Sequence, residues 1–572
     1  MQTSETIHEA DLQDLVARAE DHAAQRDFTA AYDAYQAVLP KLRTDHPARI
    51  RTLVGYAWTL QALGDHETAL RWHQEALDSQ WSLSSEAYPA ICTIRQGIGA
   101  TLIALGQLQA AREQYLHVLS VQRNLLNRWH PDLAATLSIL GETADRLHNH
   151  EEARCYQEEA LAILRVLHPP GAAPIAPALT NLGVSLFRLN VHPQAEACLH
   201  EALVIDPDLL LAAENLIHIH YQQGRKAEGR VLAAQKYRRQ SFVVQTPPAR
   251  PTGTLLVLWS LDGNIPKHHL LGRLPMTMID WHIQYASDEH EQSLPPYDLA
   301  FTLIGDADQG AAALERAVSF RDRCNVKMLN DPGQVQRTRR DLIPGLLAGI
   351  DDLVIPPVMQ TTGAMLRHSG RKKLLAESGV GLPLILRNAG LHGGESVQRI
   401  ATEEILAQAC ESIGDDDAIY VTAFHDYAAH DGFYRKYRMI FIDRKPYPYH
   451  LAISLHWLVH YFSADMETHQ WKRAEELRFL EDAPAELGQR AFAAIEAIGQ
   501  RMDLDYCGID FSVLPDGRVL LFEANATMLV HPEDETSVLA AKNPYIDRIF
   551  TAFDELVRQS LAPSEKRPNK RR

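Results

Sequence analysis

A 42-residue period constrains this chain more than any other feature of its sequence. The segments 62–77 (ALGDHETALRWHQEAL), 104–119 (ALGQLQAAREQYLHVL), 146–161 (RLHNHEEARCYQEEAL) and 188–203 (RLNVHPQAEACLHEAL) align without gaps. Gly64, Gly106, His148 and Asn190 hold one column, each 42 residues after the last. Ala57, Gly99, Gly141 and Gly183 hold a second, and Ala69, Ala111, Ala153 and Ala195 a third. Three columns in phase over four copies mean a repeated structural unit. Apolar residues recur around them at helical spacing, so each unit reads as helix, turn, helix. The small columns fall where two helices approach closely, and the turn column holds residue types that tolerate left-handed backbone. Weaker copies near Asp27-Phe28 and Gly224-Arg225 fit the capping ends of an array.

The pattern resembles the tetratricopeptide repeat in a 42-residue form, over about residues 10–238. The resemblance implies an all-α solenoid over 1–240, whose concave groove receives a peptide or protein partner. Pure scaffolding or dimerisation is the competing role. No residue cluster in the sequence names the groove's ligand.

The 572 residues are too many for one core and suggest three or four units. A net charge of -17 argues against a general nucleic-acid surface. The basic stretch Lys566–Arg572 is a local exception, and residues 561–572 read as a solvated, disordered tail. The six cysteines are scattered without CxxC spacing, so neither a zinc site nor a disulfide framework is indicated. Reduced thiols, no apolar signal core and no run of ~18 apolar residues lead to an expectation of a cytoplasmic protein without a membrane partner.

Residues 241–253 (SFVVQTPPARPTG) read as a linker. From Leu255 onward, short β-prone runs alternate with helical stretches, an α/β signature. The most informative run lies between Gly508 and Asn525. Pro515-Asp516-Gly517 is a turn signal between two apolar, β-prone segments, hence a hairpin. Glu523 and Asn525 share a face by strand alternation, and Asp510 on the partner strand can join them. Two carboxylates and an amide oxygen at one point suit Mg²⁺, with Mn²⁺ as an alternative. Upstream, a β-run ends in Arg387 and passes into a loop with Gly390, His392, Gly393 and Gly394, where backbone N–H groups can approach phosphates.

An acid, a turn and Glu-x-Asn after such a loop resemble the metal-binding hairpin of ATP-grasp ligases, a group that includes glutathione synthetase and the ribosomal-protein glutamate ligases. The resemblance covers roughly residues 254–556. It implies an α/β pre-grasp domain over 254–356 and an α+β nucleotide-binding domain over 357–560. It places Arg387 where the family has a phosphate-contacting Lys. It makes Thr422, Ala423 and Phe424 the adenine hinge, Asp426 a ribose candidate and Arg340 a basic residue reaching the nucleotide. Arg438 matches the cation that stabilises the acylphosphate transition state, with Arg435 and Lys436 nearby. The histidines His450, His456 and His460 are open between acceptor pocket and ordinary packing. The implied reaction is ATP-dependent joining of an amino-acid or peptide carboxylate to an amine. A phosphotransferase and a non-catalytic MgATP sensor are the alternatives, and a homodimer is compatible with the sequence.

Overall fold

The computed structural model describes residues 9–83, 88–245, 247–248, 251–368, 370–390 and 396–561. The chain divides into two compact units, with the break near Arg239. His392, Gly393 and Gly394 of the glycine-rich loop and residues 562–572 of the basic tail lie outside the described residues.

The N-terminal unit is built from antiparallel helix pairs: α1 (Glu9–Ala24) with α2 (Phe28–Val38), α3 (Arg49–Ala62) with α4 (His66–Leu83), α5 (Tyr88–Ala104) with α6 (Leu108–Leu125), α7 (Pro131–Arg146) with α8 (His150–Leu167), α9 (Ile175–Arg188) with α10 (His192–Ile205), and α11 (Leu210–Gln222) with α12 (Lys226–Tyr237). Each column has a physical task. Gly64, Gly106, His148 and Asn190 all take positive φ, at +84°, +74°, +61° and +60°, and turn the first helix into the second. Arg26 and Gly224 do the same at the two divergent ends. The alanines at 69, 111, 153 and 195 are fully buried.

Two further columns were not singled out in the sequence. One is His73, Tyr115, Gln157 and Leu199, whose members pack on glycines. A Cβ at Gly99 would lie 2.5 Å from the Tyr115 ring, and one at Gly141 2.3 Å from the Gln157 amide. The other is a column of buried hydroxyls, Thr59, Thr101, Thr143 and Ser185, each donating to the carbonyl one turn back. Thr101 also donates to Gln61 of the preceding repeat, and Ser185 to Asp145. Thr101 and Ser185 thus link successive repeats as well as satisfying themselves.

The C-terminal unit contains three sheets. The first joins β1 (Phe242–Val244), β3 (Thr277–His282), β2 (Thr254–Trp259), β4 (Leu299–Thr302) and β5 (Met328–Leu329) in that spatial order. Strands β2 to β5 run parallel, and β1 pairs antiparallel with the outer edge of β3. Part of the 241–253 stretch is therefore an edge strand and not linker. Three residues are too few for an alternation signal, and the prolines that follow mask it. The second sheet is antiparallel: β7 (Val358–Thr362), β10 (Ala418–Ala423), β8 (Leu384–Asn388) and β9 (Gln398–Ile400). The third has β12 (Lys445–Ser454), β11 (Tyr434–Ile442), β13 (Tyr506–Val513), β14 (Val519–Asn525) and β6 (Leu353–Val354). Here β6 belongs with β14, so the boundary drawn after residue 356 cuts through this sheet's edge.

The first and third sheets share a core of Leu256, Leu258, Trp281, Met439, Phe441, Ile495 and Phe511. The Asn330-Asp331-Pro332 segment explains part of that junction. Asn330, at φ +52° and fully buried, donates through its N–H to Asp505 (2.7 Å) and exchanges two side-chain bonds with the Tyr506 backbone (2.9 and 2.7 Å). It fastens the end of β5 to the start of β13.

Candidate functional site

In the parallel sheet the strand order reverses between β2 and β4, and the loops beyond their C-terminal ends lie at the switch point where ligands bind in open α/β sheets. The loop after β4 brings Asp306, Ala307 and Asp308 to a cavity of about 70 Å³ shared with β8, β10 and β14. Next to it is a cavity of about 240 Å³. The two share Arg340, Arg387, Thr422, Phe522 and Glu523 among their walls.

The acid hairpin forms as expected: β13 and β14 are antiparallel, with Asp510 opposite Glu523 and Gly508 opposite Asn525. A bulge between Asp510 and Phe511 breaks the register and keeps Asp510 and Glu523 together. Asp510 is 3% exposed. Arg438 grips it bidentately at 2.6 and 2.9 Å, and Lys436 stands 3.4 Å away. Burial alone would raise the Asp510 pKa, but Arg438 and Lys436 outweigh it and hold the carboxyl well below its usual range. Glu523 is treated alike: burial opposes ionisation, and Arg340 (2.9 Å) and Arg387 (3.9 Å) overcome it. Burial pulls the Arg387 pKa down, with Glu523 acting the other way.

The predicted residues separate into groups. Arg340, Arg387, Arg438, Asp510, Glu523, Thr422, Ala423 and Phe424 all line the larger cavity. Gly390, at φ +77°, and Asn525 line the smaller one. Asp426 lines neither; it is exposed and caps the backbone at Ala428 (3.2 Å). The hinge N–H groups of Ala423 and Phe424 donate to Pro357 and Pro383 (2.9 and 3.0 Å), so they are not available to a ligand in this geometry. His450 is buried behind Arg438, stacked on Tyr461 at 4.8 Å, and His456 is exposed. His460 lines the larger cavity.

Sequence reasoning missed the far end of that cavity. Trp457 meets Phe424 edge-on at 5.5 Å, the Arg399 guanidinium lies 4.1 Å over Phe424, and Val397, Tyr427 and Val459 complete an apolar wall. Trp457 sits in an irregular segment after β12, where no periodicity marks it.

The two carboxylates are cross-strand neighbours, but in this geometry both Asp510 oxygens accept from Arg438 and Glu523 is paired with Arg340. Asn525 is turned otherwise: its carbonyl oxygen accepts from the Thr527 N–H (2.9 Å) and hydroxyl (3.0 Å), while its amide donates to Glu523 (2.9 Å). Among the described residues, no three His, Cys, Asp or Glu side chains cluster around a metal position. The arrangement provides a cleft with an aromatic, apolar end and an end where four cations face two carboxylates.

Comparison with known proteins bears on the N-terminal unit. The tetratricopeptide repeat family model matches residues 15–80 and 90–165, and the unit carries tetratricopeptide repeats. Similar solved structures include the tetratricopeptide-like repeats of a kinesin light chain from Podosopora anserina, 19% identical over 35% of this chain and 96% of that one, at a TM-score of 0.32. BtubC (BKLC) from P. vanneervenii is 19% identical over 39% of this chain and 89% of that one, at 0.31. A tetratricopeptide repeat protein from Parabacteroides merdae is 16% identical over 41% and 81%, at 0.33. No curated protein matches the chain. No described helix is long and apolar enough to cross a membrane.

Proposed function

We propose that the C-terminal unit is an ATP-dependent carboxylate–amine ligase of the ATP-grasp type, and that the repeat unit binds a peptide or protein partner for it. The observation that carries this reading is the two-ended cavity. One end is apolar and aromatic, at Phe424, Trp457, Tyr427 and Val459, and suits a purine ring. The other holds Arg340, Arg387, Lys436 and Arg438 against Asp510 and Glu523, and suits a polyphosphate.

In this reading Arg387 and Arg340 hold the phosphate chain. A substrate carboxylate oxygen attacks the γ-phosphorus, the bond to the β-phosphate oxygen breaks, and ADP leaves. An amine then attacks the acyl carbon of the acylphosphate, loses a proton, and expels inorganic phosphate to leave the amide. Arg438, fixed by Asp510, places positive charge beside the oxygens that become more negative in both steps. Asp510 and Glu523 are the residues that would hold a divalent cation, which would supply charge neutralisation for the phosphate oxygens. Positioning and charge stabilisation are the chain's contribution.

The test is ADP release across amino acids and peptides, with ATP binding followed by calorimetry. Arg387→Ala and Glu523→Ala should each weaken nucleotide binding or turnover on the order of ten-fold or more, the usual effect of removing a charge-assisted contact. Full activity in both variants, or no ATP binding by the wild type, sinks the proposal. A phosphorylated product without amine incorporation would move the assignment to phosphotransferase.

A further inference from the structure

Strand β10 runs between β7 and β8, antiparallel to both. In an antiparallel ladder the two residues of a hydrogen-bonded pair exchange bonds, each N–H going to the other's carbonyl. At the end of β10 that exchange is only half made. The Ala423 N–H donates to the Pro357 carbonyl (2.9 Å) and the Phe424 N–H to the Pro383 carbonyl (3.0 Å). Both partners are prolines and have no N–H to return. The ladder therefore engages both donors and leaves the carbonyl oxygens of Ala423 and Phe424 without their reciprocal partner. Both residues are half-buried and line the larger cavity.

The rest of that end offers a base little that depends on its identity. Phe424 and Trp457 meet edge to face at 5.5 Å, and Val397 and Val459 are apolar. The Tyr427 hydroxyl donates to the Trp457 carbonyl. His425 is exposed, and Thr422 belongs, like Arg340 and Arg387, to the walls shared with the smaller cavity. Stacking on aromatic rings tolerates any base, because every base has a π-face. Discrimination has to come from the edge of the ring, where adenine carries an amino donor and guanine a carbonyl acceptor.

Resting on the reading of this cavity as a nucleotide site, we propose that it selects 6-aminopurine nucleotides through the amino group alone. The amino group donates to a hinge carbonyl, of Ala423 or Phe424, and the ring nitrogen N1 receives no hydrogen bond from the hinge. A hinge with an available N–H would read N1 as well as the amino group. This one presents acceptors and no donor, because Pro357 and Pro383 accept from the chain and cannot donate back. A guanine in the same place sets its carbonyl oxygen against the hinge carbonyls, acceptor against acceptor with no proton between them. The two prolines thus determine base specificity, since a residue with an N–H at either position would close the ladder on the oxygen that the base needs.

The test is calorimetry on the full-length protein with Mg²⁺, comparing ATP with GTP and two analogues. In 1-deaza-ATP the amino group is kept and N1 is replaced by C–H; purine riboside triphosphate keeps N1 and lacks the amino group. 1-Deaza-ATP should bind within about two-fold of ATP, while purine riboside triphosphate and GTP should bind on the order of ten-fold more weakly, the scale of one hydrogen bond lost at a half-buried acceptor. Trp457→Ala, checked for an unchanged circular dichroism spectrum, should weaken ATP and both analogues alike by removing the stacking surface. A loss on the order of ten-fold with 1-deaza-ATP, or purine riboside triphosphate or GTP binding as well as ATP, overturns the inference and leaves the nucleotide reading standing. Unchanged ATP affinity in Trp457→Ala puts the base elsewhere and overturns it too. Binding of no nucleotide overturns the nucleotide reading itself, and the inference with it.

Discussion

Gly99 and Gly141 show how much can rest on a missing side chain. Tyr115 and Gln157 occupy the space that a methyl group would take at these positions. Gly99→Val should destabilise the N-terminal unit by about 1–3 kcal/mol or more through overpacking, read as a lower thermal midpoint. In a Tyr115→Ala background the same substitution should cost much less, because its obstacle is gone. The sequence revealed that small residues recur here. It did not reveal their partners, because His73, Tyr115, Gln157 and Leu199 share a position but no chemistry. A second residue-scale expectation concerns Glu476, which is 3% exposed. Burial pushes its carboxyl up to about 7, against Lys542 and against bonds from Tyr461 (3.0 Å) and the Leu451 N–H (3.2 Å). Between the ordinary value of 4.5 and about 7, the folded chain holds a proton that the unfolded chain releases. Stability should therefore fall as pH rises through that window, by up to about 3 kcal/mol. Glu476→Gln should flatten that slope and be the more stable protein at pH 8. Equal pH profiles for the two in urea unfolding would refute it.

At the scale of the element, the β13–β14 hairpin was largely legible. Turn residues, flanking apolar runs and strand alternation are local properties, so Asp510, Glu523 and Asn525 could be placed on one hairpin from spacing alone. Their partners come from elsewhere in the chain, Arg438 and Lys436 from β11 and Arg387 from β8. Spacing cannot show whether Asn525 offers its oxygen outward or spends it on Thr527. The bond between Arg438 and Asp510 sets the next expectation. Arg438→Ala leaves a buried carboxylate without its main partner, a change that typically costs about 3–5 kcal/mol. Asp510 is depressed in the folded protein, so its contribution is present above its ordinary value of 3.8 and is lost as pH falls below it. The gap in unfolding midpoint between Arg438→Ala and wild type should be wide at pH 7 and should shrink progressively as pH is taken further below about 4. A gap independent of pH would mean that the pair does not behave as an ion pair.

At the scale of the whole molecule, each unit has its own apolar cores, such as Leu53, Tyr56 and Ile94 in the first and Leu256, Trp281 and Phe441 in the second. Units built this way can fold as separate domains. The boundary between them matters because β1 belongs to the second unit. Its three residues cover the free edge of β3, Ser241 accepts from the Trp281 indole (3.1 Å), and Gln245 donates to Asp280 (2.7 Å). A fragment of residues 240–561 should therefore melt higher, and aggregate less, than one of residues 254–561, whose β3 edge is bare. Light scattering during thermal unfolding would decide it; indistinguishable behaviour would reduce β1 to an incidental pairing.

The 42-residue period alone determined that the first half is a stack of helix pairs. Its columns encode turns and close contacts between neighbours in the chain, and such local constraints repeat visibly in one dimension. Tertiary structure alone decided which cations face Asp510 and Glu523 and which aromatic residues close the far end of the cavity. Those relations join residues tens or hundreds of positions apart, or depend on where each acid finds its donor. Nothing in their local sequence spacing records them.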